Sequence, residues 1–182
     1  MVRFIVFLRA INVGGHSVAS ATLQEALTGL GYQNVSVYKQ SGNVILEADE
    51  ADPIEIKRKV ESKLRDELGY DTVGFIRTIP QLKTIIDVQA FNGCEKEGAS
   101  FLVTFLAQAP MELPFKLPMT IPKSRAQIIS MKDSEVFSVT HGDGEGGLPN
   151  PFLESKLKLK ATTRNMNTIV KIVEKFSERE TK

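Results

Sequence analysis

Tryptophan is absent from the chain, cysteine occurs once, at Cys94, and histidine only at His16 and His141. A single thiol excludes an intrachain disulfide framework and fits a reducing compartment, so a cytoplasmic location is expected. Neither histidine stands at metal-ligand spacing from Cys94, so no metal site is expected. Charge of one sign is not in excess: 23 Lys and Arg face 22 Asp and Glu, for a net charge of +1. No global field therefore drives the chain to nucleic acid or to a membrane. The N-terminal apolar run, Phe4 to Leu8, is too short for a signal h-region or a membrane span, and it reads as a strand. Neither a Walker loop nor a dinucleotide glycine fingerprint occurs, so no cofactor is expected. Repeats of solenoid length are missing as well.

What is present is ordinary for a soluble globular protein: 42% hydrophobic and 25% charged residues. A length of 182 residues fits one large domain or two fused halves. After the first strand comes a polar loop to about Ala19. Thr22 and Glu25 form a capping-box pattern, Leu23, Ala26, Leu27 and Leu30 share a helical face, and Gly31 stops that helix. Val35 and Val37 alternate with Ser36 as in a half-buried strand, Ser41-Gly42-Asn43 is a turn, and Val44-Ile-Leu46 starts a returning strand. The second helix has Asp52 as N-cap, Pro53 at its first position, an apolar stripe of Ile56, Val60, Leu64 and Leu68, and Gly69 as C-cap. A strand near Thr72 to Arg77 completes a β-α-β-β-α-β order, the ferredoxin-like unit.

The second half is less regular. A short helix is expected around Pro80 to Ile86, a strand over Ser100 to Ala107, and a hairpin from Gln127 to Thr140 around Lys132-Asp133-Ser134. Pro110, Pro114, Pro118 and Pro122 break any long element between them. Helices are expected from Asn150 to about Leu159 and from Arg164 to Glu174, the latter capped by Thr163. The expected fold class is α+β, with a ferredoxin-like half over 1–78 and a second, degenerate α+β half over 79–182, or one continuous domain.

Three polar stretches carry the candidate chemistry: Phe7-Leu-Arg-Ala-Ile-Asn-Val-Gly-Gly15, Tyr38-Lys-Gln-Ser-Gly-Asn-Val44 and Ala161-Thr-Thr-Arg-Asn-Met-Asn-Thr168. The first is strand, glycine-bearing loop and helix, the local grammar of a backbone anion site. In a β-α-β-β-α-β unit the first two strands run parallel with the third between them. The loop after strand one and the turn after strand two then emerge at the same sheet end. Gly14 and Gly15 allow close approach by a ligand. Arg9 and Arg164 can grip a phosphate or carboxylate with a guanidinium fork. Asn12, Gln40, Ser41, Asn43, Asn165 and Asn167 supply neutral donors and acceptors. Arg164 and its asparagines are expected to close the same site. Each motif also has a plain structural reading: turn geometry for Gly14-Gly15 and Ser41-Gly42-Asn43, helix capping for Thr162 to Asn165, a carboxylate partner for Arg9.

The three motifs, in this order and spacing, resemble the bacterial family called domain of unknown function 1697. That resemblance implies an α+β protein and brings no assigned activity, substrate or catalytic residues. The chain departs from the family pattern at Ala10, where glycine is typical, at His16, where lysine is common, and at Met166, where tryptophan is usual.

The functional expectation is a small anionic ligand, phosphate- or carboxylate-bearing, or a nucleotide, bound by the three motifs. Two other classes stay open: an enzyme acting on a phosphoryl or acyl group in the same cleft, and an RNA- or protein-binding module. For RNA, Lys156, Lys158, Lys160, Arg164, Lys171 and Lys175 give the C-terminal part a basic bias. Against it, Val44-Ile-Leu-Glu-Ala48 carries no aromatic for base stacking. No membrane partner is expected, and composition sets no oligomeric state.

Overall fold

Apolar residues at strand and helix periods build both of the units into which the chain folds, Met1–Leu82 and Lys83–Lys182. The coordinates are a computed structural model. It describes every residue except 10, 12–17, 40, 41, 50, 51, 96, 143–146 and 178–182.

The N-terminal unit runs β1 (Val2–Arg9), α1 (Ser20–Thr28), β2 (Gln33–Val37), β3 (Asn43–Ala48), α2 (Pro53–Leu68), β4 (Val73–Thr78), and then into α3 (Ile79–Asp87), which crosses the division. Its sheet has the order β2-β3-β1-β4, with every neighbouring pair antiparallel. The continuous run Phe4 to Leu8 occupies a central strand, and all five residues are buried. One face of the sheet packs Phe4, Val6 and Leu8 with Leu23 and Leu27 of α1 and with Ile56, Val60 and Leu64 of α2.

Helix α2 begins and ends as its sequence predicts. Asp52 accepts a hydrogen bond from the Ile54 amide at 2.9 Å, Pro53 opens the helix, and Gly69 closes it at φ +76°. Helix α1 does not. It starts at Ser20, with Ala19 at the N-cap and no side-chain cap, so the Thr22–Glu25 capping box is not formed. It also ends at Thr28, ahead of Gly31. The reciprocal box is instead at the start of α3: the Thr78 amide donates to Gln81 Oε1 at 2.8 Å and the Gln81 amide reaches Thr78 Oγ1 at 3.4 Å.

The C-terminal unit adds β5 (Ala99–Leu106), β6 (Met119–Thr120), β7 (Ala126–Lys132), β8 (Glu135–His141), α4 (Asn150–Leu157), β9 (Ala161–Asn165) and α5 (Met166–Ser177). The sheet order is β6-β7-β8-β5-β9, again antiparallel throughout. The hairpin expected around Asp133 joins β7 to β8, with Asp133 at φ +53°. Thr162 to Asn165 are strand rather than the cap and first turn of a helix. β-branched Thr162 and Thr163 favour the pleat, and Thr163 pairs with Thr104 of β5. The cap of α5 is Asn165, whose side chain accepts from the Asn167 amide at 2.9 Å.

Setting β6 aside, the two sheets share one plan. In each unit the first long strand is central, the third lies on one side of it, and the last strand lies on the other. The two outer strands so formed, β4 and β9, are also finished alike. Glu61 of α2 accepts from the Gly74 amide at 2.9 Å, and Arg77 donates to the Ile76 carbonyl at 2.6 Å. Glu154 of α4 accepts from the Ala161 amide at 2.8 Å, and Arg164 donates to the Thr163 carbonyl at 2.9 Å. The spacing is the same in both: carboxylate on residue i, arginine i+3 on the carbonyl of i+2. These side chains occupy backbone groups that another strand would otherwise take, which protects an edge from pairing. Among the described residues no helix is long and apolar enough to cross a membrane.

The two caps make opposite forecasts in urea unfolding. Asp52→Ala is expected to cost about 1 kcal/mol by losing the bond to the Ile54 amide. Thr22→Ala is expected to stay within about 0.5 kcal/mol of the parent, because exposed Thr22 caps nothing. Equal losses at both positions would contradict the assignment of α1.

Candidate functional site

The register of β1 against β3 sets Phe7 opposite Asn43 and so brings the end of β1 beside the β2–β3 turn. The Leu8 amide donates to the Gly42 carbonyl at 2.8 Å, and the Tyr38 amide donates to the Asn43 carbonyl at 2.8 Å. Asn43 is fully buried, and its side-chain amide donates to the Tyr38 carbonyl at 2.9 Å. Asn43 therefore builds the turn from inside.

Gly42 is needed here for two reasons. Its φ is +70°, and a Cβ would stand 2.9 Å from Ile11 Cγ2 and 3.1 Å from Leu8 Cβ. The turn thus lies directly on the start of the polar loop. Tyr70, in the short connection from α2 to β4, donates its hydroxyl to the Ile11 carbonyl at 2.9 Å. Three separate segments converge on this end of the sheet. Two cations stand there: Arg9, the last residue of β1, half-buried, and Lys39, exposed in the turn at φ +57°. Lys39 Nζ is 5.7 Å from the Tyr38 ring centroid. Asn12, Gly14, Gly15, Gln40 and Ser41 lie outside the described residues.

The third motif belongs to the C-terminal unit. Arg164 is 9% exposed, and its guanidinium donates to Thr162 Oγ1 and to the Thr163 carbonyl, both at 2.9 Å. Burial lowers its pKa to about 10, because the charged form gives up solvation. Thr163 is hydrogen-bonded to Thr104 at 2.7 Å and to Asn150 of α4, so its hydroxyl is spent on packing β9 against its neighbours. Asn165 is half-buried and caps α5, whereas Asn167 is exposed. Among the described residues no group of three or more histidine, cysteine or carboxylate side chains could hold a metal.

Residues 1–137 match the model of a family described as a protein of unknown function, DUF1697. The chain belongs to this family. The match takes in the first two motifs, and the third lies beyond it. No curated protein matches the chain. Among solved structures it is similar to the conserved bacterial protein SP0830 from Streptococcus pneumoniae, at 18% identity over 95% of this chain and 97% of that one, with a TM-score of 0.64. At that identity the likeness concerns the fold alone.

In this DUF1697 protein the sequence picked out the two loops but missed Tyr70 as the group that pins one of them. Tyr70 follows the helix-stopping Gly69 and has no spacing relation to either motif. Lys39 lies inside the second motif, where its neighbours Gln40, Ser41 and Asn43 are the more obvious polar groups.

Gly42→Ala should destabilise the protein by about 1–3 kcal/mol, since it combines left-handed strain with a contact to backbone-fixed atoms. Gly69→Ala, at a similar φ but with open space around it, should cost only about 1 kcal/mol. Urea unfolding of both variants separates strain from crowding. A Gly42 variant no worse than the Gly69 variant would mean that the turn is not packed on Ile11.

Proposed function

We propose that this protein binds a small anionic ligand, bearing a phosphate or carboxylate, at the end of the N-terminal sheet where the loop after β1 meets the β2–β3 turn. The observation that supports this most is the seating of Gly42 on Leu8 and Ile11, which holds two polar, glycine-bearing segments together. Arg9 and Lys39 place positive charge at that same end. Asn12, Gly14, Gly15, Gln40 and Ser41 supply the amide and side-chain donors in this reading, and Asn43 positions the turn. A ligand with one or two oxyanions meets bidentate and backbone donors there. Arg164, Asn165 and Asn167 act on β9 and α5 in this reading, through the bonds already described.

Two coarser assignments accompany it. We class the N-terminal unit as ferredoxin-like, on the β-α-β-β-α-β order and the β2-β3-β1-β4 sheet. We place the protein in the cytoplasm, on its single cysteine.

The test is a thermal-shift screen of nucleotides, sugar phosphates, simple carboxylates and short RNA against the parent, Arg9→Ala and Lys39→Ala. A ligand at a hundredfold its dissociation constant adds about 2.7 kcal/mol. That raises Tm by roughly 5–10 °C for a chain of this size. A shift for a phosphate or carboxylate class, reduced in both folded variants, is the expected result. A response confined to RNA, or a shift that both variants keep in full, would refute the proposed site.

A further inference from the structure

A second group of cations, Lys123 and Arg125, lies within the C-terminal unit and meets no carboxylate among the described residues. The C-terminal unit contains an open cavity of about 580 Å³, lined among the described residues by Ile121, Lys123, Ser124, Arg125, Leu148 and Phe152, with flanking prolines and Gly147. That volume lies in the usual range for a small-molecule site.

The cations are carried on a closed turn. The Ile121 amide donates to the Ala126 carbonyl at 2.9 Å, the Ser124 amide to the Ile121 carbonyl at 3.1 Å, and the Ala126 amide to Ser124 Oγ at 3.1 Å. These bonds fix the backbone from which Lys123 and Arg125 project, with Lys123 at φ +59°. Arg125 lies against Gly142, where an added Cβ would stand 2.8 Å from its Nη1. Among the described residues neither Lys123 nor Arg125 makes a hydrogen bond or an ion pair.

The remaining walls are apolar. Leu148 is 60% exposed, and the ring of half-buried Phe152 lies tilted against Phe115 with centroids 5.6 Å apart. Two cations with no partner among the described residues, beside exposed Leu148 and half-buried Phe152, suit a ligand with one anionic and one apolar part. Either part alone would leave the other half of the cavity unmatched. A guanidinium and an ammonium two residues apart can share one tetrahedral oxyanion.

We propose that this cavity binds an amphiphilic anion, namely a phosphate or carboxylate attached directly to an apolar or aromatic group. The site is independent of the sheet end assigned above and stands or falls separately from it.

The probe is phenyl phosphate, followed in amide NMR spectra of the full chain, with inorganic phosphate, benzoate and phenol as comparison arms. Phenyl phosphate should give saturable shifts at Ser124, Arg125, Leu148 and Phe152. Inorganic phosphate and phenol should each bind at least about tenfold more weakly, a difference of about 1.4 kcal/mol. Benzoate tells whether a carboxylate serves as well as a phosphate, and saturable binding of either aromatic anion supports the site. The variant Lys123→Gln with Arg125→Gln alters two exposed side chains and so should stay folded. It should weaken phenyl phosphate by at least about tenfold. Leu148→Ser should weaken phenyl phosphate but not inorganic phosphate. Absence of saturable binding by both aromatic anions below about 10 mM, equal affinity for phenyl and inorganic phosphate, or full affinity in the glutamine variant would each overturn the assignment.

Discussion

A single close approach organises the N-terminal unit: the peptide at Gly42 lies on β1 with no room for a side chain. The Leu8 amide bonds the Gly42 carbonyl, and Ile11 and Leu8 fill the space where a Cβ would go. That approach carries the β1–β3 register, Phe7 opposite Asn43, past the last ladder pair and into the loops. It also decides which polar groups can meet. A turn displaced by a bulky residue would separate the Tyr38–Asn43 hydrogen bonds from the loop that Tyr70 anchors at Ile11. The functional reading therefore rests on packing first and on charge second.

With β6 set aside, the sheets of the two units share one strand order. In both, a central first strand is flanked by the third and fourth, and the outer fourth strand is covered by a helix carboxylate and by its own arginine. Such edge protection explains the positions of Glu61, Arg77, Glu154 and Arg164 without invoking a ligand. For Arg164 this has a consequence. A buried guanidinium with a lowered pKa is costly unless its donors are used, and two of them are used on β9.

Much of this was legible in the sequence where a signal was local. Phe4 to Leu8 as a central strand, the Asp52-Pro53 start and Gly69 end of α2, and the Asp133 hairpin each depend on a few adjacent residues. The errors came where two local rules compete. Thr22 and Glu25 satisfy the capping pattern, yet α1 starts at Ser20, because Leu23, Ala26 and Leu27 bury against the sheet and set its frame. Thr162-Thr163 reads as a helix cap or as a β-branched strand, and only pairing with Leu102 to Phe105 of β5 decides for the strand. Of the candidate site, the adjacency of the first two motifs followed from topology. The anchoring by Tyr70 did not, since it depends on a contact between segments with no shared pattern.

The most direct test of the central claim is an amide NMR titration of the full chain with pyrophosphate, a compact anion without a base or sugar. The account requires saturable shifts grouped at Leu8, Arg9, Ile11, Lys39, Gly42 and Tyr70, the described residues at the joined loops, and their loss in Arg9→Ala. Shifts scattered over surface lysines without saturation, or none at that sheet end, would contradict it.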